Sequence, residues 1–339
     1  MASQHDANSF TQLPREAWWE IVRRVYGKIE QHNLSLISAG VAFYFLLAIF
    51  PLLAGTVSLY GLIFSTEDLQ SHFLTLLNVV PPESRGILEK QMESLMDKSN
   101  VTLSWGVLFS LLLTVWSSSK GANALITACN ITYYESRNRG FFKALLARIW
   151  FTCSGIGVVI IALLTMTVLP KWISWLTGYE ISDDSVKWIT WPALVLIFNV
   201  TLAALYRYGP HRAPAKWRWV TPGSFMATIF WLLATYAFSL YLHSFDTYDR
   251  TYGSVGGIIV LLMWLFISAF IILLGAELNS AIELQTTEDS TTGSPKPMGE
   301  RGAYVADNTP EALKGKRLGA SKQEDGDSGP INDDGRPQQ

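Results

Sequence analysis

The sequence predicts an all-α fold: a polytopic membrane helical bundle with six transmembrane helices. Both termini are expected in the cytoplasm, with an amphipathic N-terminal helix and short helices in the outer loop. Three observations predict it. Charged residues are 16% of the chain, against about 25% in a soluble domain. Six continuous apolar runs are each long enough to cross a hydrocarbon core of about 30 Å as a helix. Of the 26 Lys and Arg residues, 20 fall on one side of the resulting threading, which places that side in the cytoplasm. Continuous runs also exclude an outer-membrane barrel, whose strands alternate apolar and polar residues.

The spans are expected at about 36–64, 103–119, 149–169, 188–206, 222–242 and 254–278. The first contains Pro51, which removes a backbone hydrogen bond and kinks a helix. Trp105, Trp150, Trp172, Trp175, Trp188, Trp191, Trp217 and Trp219 fall near span ends, where an amphipathic ring sits at headgroup level. Trp231 and Trp264 fall deep and are expected to pack helices. Gly155 and Gly157 in the third span, and Gly253, Gly256 and Gly257 opening the sixth, allow close helix approach. No cleavable signal peptide is expected, because residues 1–13 are polar.

The domain reading is a disordered N-terminus over 1–13, a membrane domain over 14–285 and a disordered cytoplasmic tail over 286–339. The tail holds 17 charged residues and has no Trp or Phe, so it has little apolar area to offset its ordering entropy. Within 14–33, Trp18, Val22, Val25 and Ile29 share a helical face beside Arg23, Arg24 and Lys28. Such a helix lies on anionic lipid or docks on the protein itself. In the outer loop, Leu69, Phe73, Leu76 and Val80 form one stripe. Pro81 and Pro82 interrupt, and Leu88, Met92 and Leu95 form the next, so two short helices are expected there.

Function classes narrow quickly. A net charge of −2 excludes a strongly basic nucleic-acid binder. Two cysteines exclude a disulfide-rich scaffold. Phosphate-loop, zinc-protease and nucleophile-elbow motifs are absent, and the five histidines are scattered along the chain. No cofactor, catalytic residue or metal ligand is therefore assigned.

The chemistry-bearing residues lie within or beside the spans, where a polar group in hydrocarbon needs a partner or a cavity. Ser119, Asn123, Thr127 and Asn130 keep one face of the second helix polar as it leaves the membrane. Asn199 lies in the fourth span, where it makes an interhelical hydrogen bond or lines a cavity. Lys120 and Glu277 lie at similar depths. Each snorkels to the headgroups, or they pair with each other or with Arg148. Pro51, Lys120, Asn130, Arg148, Asn199 and Glu277 are the cavity or gate candidates. The loop from Tyr206 to Pro222 has four basic residues and no acid. Its Arg207, Arg212 and Arg218 are candidates for anionic headgroups or an anionic substrate, although a short cytoplasmic loop is basic for topology alone.

Several blocks carry a resemblance. They are Asn33-Leu34-Ser35, Ala42-Phe43-Tyr44 and Phe50-Pro51, then Trp116 to Gly121 with Asn130. Tyr208-Gly209-Pro210 running to Pro222-Gly223, Tyr252-Gly253-Ser254 and Gly275-Ala276-Glu277-Leu278-Asn279 follow. Taken in order over residues 15–285, they resemble the YihY / virulence factor BrkB family. Lys120 stands where members often have Arg, which keeps the charge and loses the planar fork. The resemblance implies a bacterial inner-membrane protein, generally of six helices, with no assigned biochemical activity. The family also carries a ribonuclease BN label, but no residue here supplies a base or metal cluster for phosphodiester cleavage.

The expectation is thus a transporter or lipid-handling protein of the bacterial inner membrane with a polar interhelical cavity. The alternative is a non-transporting envelope scaffold built on the outer loop and tail. Membrane lipids with anionic headgroups are the expected partners, and nucleic acid is not. The small-residue faces suit a homo-oligomer as well as packing within one chain.

Overall fold

The computed structural model describes residues 15–60, 73–74, 76–77, 80–96, 105–135, 140–178, 183–243 and 254–310. Among these residues the chain is helical with no strand beyond one isolated bridge. The helices are α1 (Arg15–Gln31), α2 (Leu34–Tyr60), α3 (Pro82–Met96) and α4 (Trp105–Thr132). They continue as α5 (Phe141–Thr177), α6 (Asp183–Tyr208), α7 (Trp217–His243) and α8 (Ser254–Glu283).

Five helices, α2, α5, α6, α7 and α8, are long and apolar enough to cross a membrane. Helix α4 is a sixth long helix of 28 residues. Each expected span lies mostly within one of these helices, but the bounds differ. α4 runs to Thr132 where the span ends at 119, and α5 covers 37 residues where the span covers 149–169. Helical hydrogen bonding continues past the hydrocarbon because nothing at the headgroup level breaks it. α5 stops at Gly178, whose left-handed φ of 72° lets its N–H reach the Ser174 carbonyl.

Helix α8 is the hub. In its most apolar stretch 44% of residues are buried, against 22–24% in the other four. It packs on α7, α2, α1, α3 and α4. Its closest crossing is with α7, at Gly223 and Gly275. A Cβ on Gly223 would sit 2.2 Å from the Gly275 carbonyl oxygen, so only glycine permits this approach. Gly155 and Gly157 differ: a Cβ at either would meet nothing within 4 Å among the described residues.

Helix α1 docks on α8. Ala17 and Ile21 are buried, with Trp18, Val25 and Ile29 packed beside them. Val22 departs from the expected docking face and points outward with Trp19 and Tyr26. The chain turns from α1 to α2 at Asn33, whose φ of 49° is one that Asn tolerates well. At the other end, Pro82 begins α3, where its missing N–H costs nothing. Leu88 and Met92 bury against Phe73 and Leu77, and the Ser84 hydroxyl donates to the Gly257 carbonyl at 3.0 Å. Leu69 of the first expected outer-loop helix lies outside the described residues.

Trp150, Trp172, Trp175 and Trp188 are exposed as a headgroup position requires, but Trp219 is fully buried. Trp231 packs helices as expected. It stacks on Phe198 at 4.4 Å and donates to Ser268 Oγ at 2.9 Å.

The tail requires a correction. Residues 286–310 are ordered and packed, while 1–13 and 311–339 lie outside the described residues. The order comes from backbone groups rather than apolar area, which composition weighs alone. Arg301 donates to the carbonyls of Lys296, Glu288, Ala306 and Thr287. Asp307 accepts from the N–H groups of Gly299, Arg301 and Gly302. The strap so formed is tied to the loop between α6 and α7. Gly302 O takes the Ala213 N–H, Ser290 O the Lys216 N–H, and Asp289 O the Lys216 ammonium at 2.7 Å. Burial pushes the Asp289 carboxyl up, but hydrogen bonds from Thr291 and Lys296 and the nearby Arg301 outweigh it, so its pKa lies below the usual value.

Candidate functional site

Two polar regions lie on the side where α1, the α4–α5 turn, the α6–α7 loop and the strap meet. The first is closed. Glu277, on α8 and without solvent exposure, accepts from His32 Nδ1 at 2.5 Å and faces Lys28 Nζ at 3.6 Å. Lys28 also donates to Ser280 Oγ at 3.2 Å and lies 4.6 Å from the Tyr134 ring centre. Tyr134 meets His32 edge-on and stacks on Tyr304 of the strap. It holds a left-handed φ of 57° at the end of α4, uncommon for an aromatic residue.

A second ion pair closes the same region. Arg212 Nη2 lies 2.9 Å from Glu283 Oε2, both fully buried, with the guanidinium 4.5 Å from the Tyr133 ring. Burial alone would lower the Arg212 pKa, but Glu283 and Tyr133 outweigh it and raise it. Ser290 Oγ donates to the other Glu283 oxygen at 2.5 Å. Asn279 bridges α8 to α7, accepting from Gly223 N–H at 2.7 Å and donating to Val220 O at 2.9 Å.

The second region is open. A cavity of about 610 Å³ lies between α4 and the first two turns of α5. Asn123, Thr127, Asn130 and Arg148 line it, with His211 from the α6–α7 loop and Trp116, Ile126, Phe141 and Leu145 completing the wall. The polar stripe Asn123, Thr127 and Asn130 thus faces a void. Asn130 Oδ1 accepts the His211 backbone N–H at 2.7 Å, which fixes the loop at the cavity edge. Two further cavities are mostly apolar. One of about 450 Å³ lies among α5, α6 and α7, and one of about 300 Å³ among α2, α4 and α5.

The structure brings together two of the six gate candidates, Asn130 and Arg148. Pro51 lies inside α2, which continues as helix past it and lines none of these cavities with it. Asn199 donates to Thr228 Oγ1 at 3.0 Å and so joins α6 to α7. Lys120 is exposed, 5.6 Å from the Trp116 ring centre. Glu277 pairs with neither Lys120 nor Arg148, because α1 delivers Lys28 and His32 to it instead.

The three loop arginines also separate. Arg212 is withdrawn from any headgroup by Glu283. Arg207 lies against the rings of Tyr208 and Trp217, at 5.1 and 4.8 Å. Arg218 is exposed and 3.8 Å from Glu288. Sequence reasoning missed Lys28, His32 and Glu283. Their partners are up to 252 positions away in the chain, and no local pattern marks them. Cys129 is buried and Cys153 exposed. Among the described residues no group of three His, Cys, Asp or Glu could hold a metal ion.

A ribonuclease-like protein, YfkH, of Bacillus subtilis is 30% identical over 269 residues, 77% of this chain and 94% of that protein. A UPF0761 membrane protein of Acinetobacter baylyi is 24% identical over 286 residues, 81% of this chain and 65% of its own length. One from Nitrosospira multiformis is 26% identical over 268 residues, 74% of this chain and 58% of its own length. The chain thus spans less than two thirds of these UPF0761 proteins. No solved structure matches it. The family model for virulence factor BrkB matches residues 25–299, from α1 through the strap, and the chain belongs to that family.

Proposed function

We propose that the protein is a six-span inner-membrane transporter or lipid-handling protein whose substrate occupies the cavity between α4 and α5. The observation that carries this reading is the cavity itself: about 610 Å³ with Asn123, Thr127, Asn130 and Arg148 on its wall. Helices that only pack fill such space with side chains, and ligand sites commonly enclose about 300–1,000 Å³. In this reading both termini are cytoplasmic, as the basic bias requires, and the cavity opens at the cytoplasmic headgroup level. Arg207 and Arg218 contact anionic headgroups beside it. Association of copies belongs to the same proposal.

Catalysis has no part in it. The word ribonuclease belongs to the name of the Bacillus relative. An envelope scaffold is the alternative reading: Leu88, Met92, Val305 and Ala306 are buried within the chain, while residues 292–300 of the strap are exposed.

The test is reconstitution into liposomes. Transbilayer movement of headgroup-labelled phospholipid and efflux of an entrapped anion are measured in parallel. Wild type should move one of them, and Ala147→Trp, which fills the cavity, should stop it. Movement unchanged by the filled cavity, or none from folded wild type, overturns the reading.

A further inference from the structure

The cavity is one-sided in charge. Arg148 reaches its wall, and among the described residues no Asp or Glu lines it. The Arg148 Nε is buried and has no hydrogen-bond acceptor among the described residues. Arg207 Nε and Arg212 Nε share that state, but Arg212 has the Glu283 carboxylate beside it and Lys28 has Glu277. A buried guanidinium donor without an acceptor is costly unless something completes it.

The backbone adds to this field. Phe141 and Ala144, in the first turn of α5, line the same cavity. The N-cap is Gly140, which offers no side-chain bond, and the first turn holds no acid. The amino end of this 37-residue helix therefore places a partial positive charge at the cavity edge. Asn123 and Thr127 supply neutral donors, and Trp116 and Ile126 an apolar wall. A planar guanidinium with oriented N–H groups is the donor set that fits a tetrahedral oxyanion.

We propose that the cavity binds a phosphoryl oxyanion, carried on a lipid headgroup or as free phosphate, with Arg148 as its main contact. This rests on the reading of the cavity as the substrate site and adds the substrate class.

The test uses full-length protein in phosphatidylcholine nanodiscs, with Cys153→Ser and a reporter thiol from Ala144→Cys. An anionic sulfonatoethyl and a cationic trimethylammonium methanethiosulfonate are applied, each rate divided by that for a free thiol. The anionic reagent should react about tenfold faster than the cationic one. Arg148→Gln should abolish that preference, and Arg148→Lys should keep part of it. Protection by added inorganic phosphate assigns a free phosphate. Protection only in nanodiscs containing phosphatidylglycerol assigns a headgroup. Equal normalised rates for the two reagents, or protection by neither probe, overturn the oxyanion and leave the cavity standing. No reaction with either reagent in folded protein removes the cavity reading and this proposal together.

Discussion

The closed and open polar regions adjoin, yet they treat charge in opposite ways. In the closed region the buried carboxylates of α8 have partners: Glu277 has Lys28 and His32, and Glu283 has Arg212. In the open cavity Arg148 faces amides, hydroxyls and rings, with no carboxylate among the described residues. The difference separates two uses of a buried charge. A paired one fixes how helices and strap meet. An unpaired one keeps its interaction available to a ligand. Depth and residue type do not distinguish them, so a list of intramembrane polar residues mixes both.

The largest expected effect breaks the closed side. Glu277→Ala leaves Lys28 buried without its counter-ion and should cost about 3–5 kcal/mol. It should be read as a fall in melting temperature or loss of monodisperse protein on detergent size exclusion. A variant as stable as wild type would mean that the pairing is not structural. Loss of function in Glu277→Ala therefore reports folding first, not gating.

Next comes the helix crossing on which the closed side is built. Gly223→Ala places a methyl against the Gly275 carbonyl and the Asn279 side chain. Overpacking of this kind costs about 1–3 kcal/mol, and the same melting measurement reads it. Gly155→Ala has open space and should leave the monomer unchanged, which sharpens the contrast.

The strap offers a pH test. The folded-state pKa of Asp289 is lowered, so its contribution is present above the unfolded value, about 3.9, and is lost as pH falls through the folded value. Amide exchange over 286–310 should therefore rise below about pH 4, and Asp289→Asn should raise it already at pH 7. Exchange that is slow and flat with pH would exclude this carboxylate as the organiser.

The smallest effects belong to the open side. Lys120→Ala removes an exposed group and should change stability by less than about 0.5 kcal/mol. Arg148→Gln should be equally mild for stability while impairing ligand-dependent readouts. A strongly destabilised Arg148→Gln would place Arg148 with the structural charges and erase the comparison.

Much of the candidate site was legible. The stripe through Asn123, Thr127 and Asn130 was visible from its spacing, and the structure sets those three around a cavity with Arg148. Lys120 lies apart from that cavity, exposed beside the ring of Trp116 four positions back on the same helix. The strap was illegible because its order depends on Arg301 and Asp307 reaching particular backbone groups, which composition does not record.

By itself the sequence determined the helical class, the place of the long apolar helices and the asymmetry of basic residues. Lipid imposes these locally: a spanning segment must be apolar along its length and satisfy its backbone within itself. Only the tertiary structure decided which charges are neutralised and which stay open. Those pairings join residues as far apart as His32 and Glu277, 245 positions, and they exist once α1 and α8 pack.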